Sequence, residues 1–334
     1  MTNTFIPMTN ARGMGPLPAL VEDMGGSFPL HRVFARAGLP LALIDNQDSQ
    51  IPMQQMISLF THASIELGDR LFGLRVGQSM TPGSYGLWTN YATEAPTLYE
   101  AIYRLHKTRG VHQNMGAMRV HTQNQHAIWT YEHPMMREAD GRVHADHILP
   151  VMLSIVRLYL GSDWQPDWVQ FFYPQDKNTR GLSETLNCEC RYGGHGVAVA
   201  IPRDLLWKPR KMALGRPLTK TDVFAEANAR DKNAGIESLE GVASMRLLDG
   251  QTDISGMAEI VGCSTRSLQR ELEGMGLTYR KLLDRVRYKK SSSLLRETEL
   301  SITEVAFQIG YSDPAHFSRA FKRWTGRSPQ AYRR

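Results

Sequence analysis

Cysteine is scarce in this chain: three residues in 334, at positions 188, 190 and 263. So few thiols exclude a disulfide framework as the basis of folding and fit a reducing cytoplasm, the expected location. No apolar run reads as long enough to span a bilayer, and there is no lipidation motif. The amino end lacks the charged-then-apolar layout of a secretory leader. Nucleophile elbow, phosphate loop and dinucleotide fingerprint are all missing. His144 and His147 would share a helix face, yet no Glu or Cys completes a standard metal set around them. Cys188 and Cys190, one residue apart, would point to opposite faces of a strand, a poor chelate even with His195 nearby. No catalytic residue, metal or cofactor is therefore expected, and the chain does not read as an enzyme.

What is present is an unevenly placed charge. The whole chain carries 39 Lys+Arg against 33 Asp+Glu, a formal net charge of +6. Residues 251–334 hold fifteen basic and nine acidic side chains, an excess of six. The other 250 residues are therefore neutral. Positive charge gathered at one end is the footprint of a polyanionic partner, and the missing apolar span and lipid anchor favour nucleic acid over a membrane.

The same end contains an internal repeat of about 48 residues. Ile254, Met257, Ala258 and Gly262 correspond to Ile302, Val305, Ala306 and Gly310. Ser264 corresponds to Ser312. After one inserted residue, Leu268, Arg270 and Leu272 correspond to Phe317, Arg319 and Phe321. Each copy reads as a helix with an apolar stripe, a glycine able to take positive φ at its exit, a capping residue, and a second helix. Ser264 caps the second helix of the first copy, and Asp313 before Pro314 opens that of the second. The spacing predicts helix-turn-helix units over about 254–275 and 302–325.

These residues resemble the AraC/XylS family of bacterial transcription regulators. The resemblance covers residues 235–334. It rests on Ile302 to Ala306, Gly310 to Asp313, His316 to Lys322, Gly326 to Pro329 and Tyr332-Arg333, with Ser264, Arg266, Leu268 to Arg270 and Leu272 in the first half. The family's usual Ala on the linking helix is Ser291 here. The resemblance implies an all-α domain of seven helices, with two helix-turn-helix units joined by a helix from Tyr279 to about Arg296. It implies readers laid into successive major grooves on one face of double-stranded DNA, about 34 Å apart. By position, Arg266, Gln269 and Arg270 are the expected base contacts of the first unit, and Ala315, His316 and Arg319 those of the second. Arg and Gln suit guanine and adenine edges, and Ala a thymine methyl. Ser264, Arg280, Lys322, Arg323 and Arg333 are the expected phosphate contacts.

The preceding residues divide into a loose amino terminus (1–14), an α+β domain (15–206) and a polar connector (207–234). Helical spacing runs over 17–24, 29–37, 53–67, 97–109 and 143–160. Residues 117–120 and 127–131 alternate like a hairpin, and 169–173 and 196–201 read as strands. Leu71 to Leu74, Gly83 to Gly86, Ala101 to Arg109, Arg191 to Pro202 and Leu214 to Asp222 resemble the arabinose-binding-like sensory domain of one AraC/XylS subgroup. That implies a small-molecule effector and a homodimer, without identifying the molecule. The expected function is a sequence-specific, ligand-responsive activator acting with RNA polymerase at a promoter. The alternative is a regulator whose amino-terminal domain serves only dimerisation or protein contacts.

Overall fold

The structure, a computed structural model, describes residues 6–179, 181–210, 218–226 and 234–333. Residues 1–5, Arg180, 211–217, 227–233 and Arg334 lie outside the described residues. They include much of the expected connector and residues 214–217 of the stretch ending at Asp222.

In chain order the elements are β1 (Met8–Asn10), α1 (Leu17–Gly25), α2 (Ser27–Ala37), β2 (Gln50–Pro52), α3 (Met53–Leu67), α4 (Phe72–Gln78), α5 (Leu87–Thr93), α6 (Leu98–Thr108), β3 (Ala117–Gln123), β4 (His126–Glu132), α7 (Met135–Glu138), α8 (Arg142–Leu160), β5 (Trp168–Gln170), α9 (Leu182–Leu186), β6 (Glu189–Arg191), β7 (Val197–Pro202) and α10 (Lys220–Glu226). Seven helices follow: α11 (Ala234–Leu247), α12 (Ile254–Val261), α13 (Thr265–Gly274), α14 (Tyr279–Glu297), α15 (Ile302–Gln308), α16 (Pro314–Thr325) and α17 (Pro329–Arg333). The chain is thus α+β in its first part and helical in its last.

Two compact units result. The larger holds described residues 9–39, 53–179, 181–210 and 218–226. Its five-stranded sheet has the order β3-β4-β7-β5-β6, antiparallel except for the β5–β6 pair. Trp129 on β4 sits opposite Val120 on one side and Val199 on the other. Inner strand β4 is buried from Ala127 to Tyr131, whereas edge strand β3 is mostly exposed toward its end. The β3–β4 hairpin is longer than its alternation suggested, and Asn124 takes the left-handed conformation (φ 54°) in the tight turn.

Helix α8 is the spine of this unit. It is 19 residues long with mean hydropathy 1.2, so by length and composition it could cross a bilayer, against the expectation of no such segment. Burial of 72 % of that stretch inside the unit marks it as a core helix. Two glycines let α4 lie against it. A Cβ at Gly73 would stand 2.0 Å from the carbonyl oxygen of Val143, and one at Gly77 would stand 2.2 Å from that of His147. Only a residue without a side chain allows backbones to approach so closely.

The smaller unit is built from the seven final helices together with described residues 6–8 and 40–52. Its core includes Ile6, Met8, Leu239, Val242, Met257, Leu268, Leu282, Val305, Phe317 and Phe321. The amino terminus therefore departs from the loose segment expected. Met8 is buried, the Ser238 hydroxyl donates to the Ile6 carbonyl at 3.2 Å, and a Cβ at Gly241 would meet the Met8 methyl at 2.7 Å. Residues 11–14 likewise form a mostly buried 3-10 turn in the larger unit. The connector also departs from expectation. Arg210 donates to the Thr93 carbonyl at 2.7 Å, the Leu218 amide to Glu94 at 2.7 Å, and Val223 is buried, so these residues belong to the larger unit.

Candidate DNA-binding surface

Each half of the smaller unit is assembled by local chemistry that the repeat anticipated. In the first, Asp253 caps α12 by accepting from the Gly256 amide, and Ser264 caps α13 by accepting from the Ser267 amide. In the second, Ser301 and Glu304 form a reciprocal capping box on α15, and Asp313 accepts from the Ala315 amide at the start of α16. The turns match in backbone conformation: Gly262 has φ 75° and Gly310 φ 73°. A side chain there would be strained, so glycine decides where each first helix stops. The Gly256 amide, then the Arg246 guanidinium, hold the Asp253 carboxyl well below the usual carboxylate range.

The apolar sides of the second helices turn inward. Leu268 and Leu272 on α13, and Phe317 and Phe321 on α16, are all fully buried. Phe317 and Phe321 meet edge to face at 5.6 Å. Burial of these residues forces their neighbours outward. Arg266, Gln269 and Arg270 on α13 are exposed, as are Ala315, His316, Arg319 and Lys322 on α16.

The side chains differ in what already occupies them. His316 lies 3.5 Å from Asp313. Arg323 is exposed but paired with Asp284 at 3.1 Å. Ser264 is exposed and engaged as a cap, and Arg280 is exposed on α14. Arg333 departs from its expected phosphate role. It is half-buried and donates to the Leu300 carbonyl, so it ties α17 to the segment before α15 instead of presenting a free charge.

A polar groove between α14 and α16 gathers Arg280, His316, Arg319 and Arg323 with Arg287, with Asp284 as its one carboxylate. It does not include Arg266, Gln269 or Arg270, which stand on α13. Sequence reasoning missed Arg287. It donates to the carbonyls of Ile309 and Gly310 at 3.2 and 3.3 Å and lies 4.5 Å over the Tyr311 ring. It thus satisfies carbonyls freed at the α15 turn and fixes the second unit to the linking helix. Only the pairing of a Gly-Tyr turn with an arginine on that helix could have signalled it. Arg285 and Lys289 are likewise engaged, both on Glu240, at 2.8 and 2.6 Å. Ser291 is buried and donates to the Tyr288 carbonyl at 3.1 Å, so the departure from Ala is accommodated within its own helix.

Two linked helix-turn-helix units with exposed basic second helices define a DNA-binding protein. Residues 28–209 match the family described as the arabinose-binding, N-terminal domain of AraC transcription regulators. Residues 257–334 match a helix-turn-helix domain family. The chain belongs to the AraC family and is a DNA-binding transcription regulator. It is similar to an ornithine utilization regulator of Pseudomonas aeruginosa, 25 % identical over 99 % of this chain and 97 % of that protein. It is also similar to the regulator VirS of Mycobacterium tuberculosis, 22 % identical over 94 % of this chain and 93 % of that one. Among solved structures, the regulator CdpR of Pseudomonas aeruginosa covers 92 % of this chain and 96 % of its own, at 22 % identity and a TM-score of 0.41.

Proposed function

We propose that this chain is a ligand-responsive activator that binds a promoter site through both helix-turn-helix units. The observation that carries the reading is the exposure of Arg270 and Arg319 at corresponding places of the two copies, each backed by a fully buried apolar pair. Arg266, Gln269, Arg270, Ala315, His316 and Arg319 are its base contacts, while Ser264, Arg280, Lys322 and Arg323 hold phosphate. Residues 235–334 act as the DNA-binding domain, and the larger unit binds effector and forms the homodimer. Effector favours one arrangement of the protein, and that arrangement recruits RNA polymerase in the cytoplasm. Ornithine, which the name of one relative mentions, is a first compound to test rather than an assignment.

Selection of duplexes from a random library by the full-length protein tests the DNA reading, and a metabolite panel in the same binding assay tests the ligand reading. One enriched site with recognition elements about one helical turn apart is expected. Absence of any sequence preference would sink the first reading. DNA affinity and transcription that ignore every compound would leave the rival, a regulator whose larger unit serves only dimerisation or protein contacts.

A further inference from the structure

Two of the three cysteines stand together at the edge of the larger unit's sheet. Strand β6 is the edge strand, paired with β5, and Cys190 on it lies opposite Val169. Cys188 sits in the bend between α9 and β6, next to Asn187, which takes the left-handed conformation (φ 51°). The expectation that the two side chains point to opposite faces does not hold, because residues two apart in an extended chain share a face. The Cys190 thiol reaches back to the Cys188 carbonyl at 3.8 Å and hydrogen-bonds with the Cys188 thiol itself. Both cysteines are partly exposed, so a small solute can reach them.

The pair is chemically unequal. The contact with Cys190, then the Arg157 guanidinium, holds the Cys188 thiol below its ordinary value against burial and the Glu189 carboxylate. Glu189 is itself paired with Arg191 at 2.8 Å. The contact with Cys188, then burial, pushes the Cys190 thiol up. Cys188 is therefore the thiolate of the pair, the form that attacks an oxidant, and Cys190 keeps a proton beside it. Cys263, in the smaller unit, has the opposite setting: burial, then Glu271, raises its thiol. No third ligand completes a metal set, since no cluster of three His, Cys, Asp or Glu placed to hold an ion occurs among the described residues. The arrangement favours sulfur–sulfur chemistry over coordination.

We infer that Cys188 and Cys190 form a reversible dithiol–disulfide site, oxidised by a hydroperoxide and reduced by a small cellular thiol. With hydrogen peroxide, the Cys188 thiolate attacks one oxygen and the O–O bond breaks. The leaving oxygen takes up a proton and departs as water, and Cys188 becomes a sulfenic acid. The Cys190 sulfur then attacks the Cys188 sulfur, the S–O bond breaks, and the hydroxyl leaves as water with the Cys190 proton. Two electrons pass from the two sulfurs to the peroxide. Thiol exchange reverses the reaction, two molecules of glutathione giving one disulfide.

Ring size makes this bond a switch and not a staple. Closing a loop over one intervening residue removes little entropy from the unfolded chain. Positions two apart on a strand are about 6.6 Å apart, at the upper end of what a disulfide spans. Strained, exposed disulfides are the readily reduced ones. Oxidation also has a local consequence. The Tyr192 hydroxyl hydrogen-bonds with Cys190 and Thr179, and its ring lies 6.1 Å from that of Tyr173, which donates to Asp146 on α8. Consuming the thiol removes the first of these contacts. The site is independent of the ligand-responsive reading.

The test exposes reduced full-length protein to hydrogen peroxide, then blocks the remaining thiols and maps them by mass spectrometry. The expected product is the Cys188–Cys190 disulfide within one chain, formed about tenfold faster than any oxidation of Cys263. Glutathione should return it to the dithiol. Cys190→Ser should stop at the Cys188 sulfenic acid, trapped by dimedone. Near-UV circular dichroism of the tyrosines should change on oxidation and recover with glutathione, and in Cys188→Ser it should stay fixed. Neither cysteine belongs to the DNA-binding surface, so Cys188→Ser should bind a selected duplex as wild type does, which verifies its fold. Oxidation of Cys263 as fast as Cys188, a disulfide between two chains, no sulfenic acid in Cys190→Ser, or a product that glutathione leaves oxidised overturns the assignment.

Discussion

The two units handle charge in opposite ways. The smaller one places cations on exposed helices, with Asp253, Glu304 and Asp313 at helix starts and Glu240 and Asp284 paired with arginines. The larger one keeps Asp, Glu, Lys and Arg out of a cavity lined by aromatic rings, methionines and histidines, and burial holds His144 and His147 below their ordinary values. A polyanion is met at a surface, where long-range attraction operates; a buried centre admits charge only at a large cost in desolvation. The contrast teaches that this chain sorts its ionisable groups by dielectric environment.

The largest effect should come from emptying the smaller core. Phe317 is fully buried against Phe321 and Tyr311, and Phe317→Ala should cost about 3–5 kcal/mol. Hydrogen exchange should report lost protection across residues 234–333 and unchanged protection in α8, with DNA binding abolished. Equal loss in both units would erase the comparison.

Acid should act on the other side of it. Burial keeps His133 and His147 down to about 4, and His144 lower than its ordinary value. Between about pH 6.5 and about 4 these rings are neutral when folded and protonated when unfolded, so the larger unit loses stability as pH falls. Asp146 opposes this. Burial pushes its carboxyl up to about 7, so it is protonated when folded and ionised when unfolded, and its contribution grows as pH falls from about 7 toward about 4. Three imidazoles outweigh one carboxyl, at roughly 1.4 kcal/mol per pH unit for each net proton taken up. The smaller unit's only histidine, His316, is exposed. Exchange measured against pH should therefore find the larger unit opening first in acid, and Asp146→Asn should steepen the decline.

Gly77→Ala should cost about 1–3 kcal/mol, because its methyl would collide with the His147 carbonyl. Thermal unfolding should show it, while DNA affinity for a selected site is retained.

Smallest are the surface changes. Arg270→Ala should relax preference at one base pair by about 1–3 kcal/mol in a binding selection. Lys322→Ala should weaken all duplexes alike and lower the salt slope of log affinity by about 0.9. Equal loss of specificity from both would show that the division between base and phosphate contacts is misplaced.

The helical end was legible because its signals are local. Glycine at 262 and 310, caps at 264 and 313, and apolar stripes four residues apart each act within one turn of helix, and the structure has helices over 254–261, 265–274, 302–308 and 314–325. The long helices of the larger unit were legible for the same reason, and α3 begins and ends where its spacing placed it. Short elements were not. Strands β1, β2 and β6 are three residues each, too brief for any period to show. Arg333 read as a free cation because sequence does not reveal which carbonyl a side chain will reach.

Sequence by itself settled that two helix-turn-helix units exist and which of their faces turns outward, since helix periodicity and capping are decided by near neighbours. Tertiary structure alone decided that Ile6 and Met8 complete the smaller core, that Arg287 fixes a turn 23 residues away, and that residues from positions 9 to 155 line one cavity without Asp, Glu, Lys or Arg. Those facts depend on contacts between distant segments, which form only when burial of apolar surface outweighs the entropy of bringing the segments together.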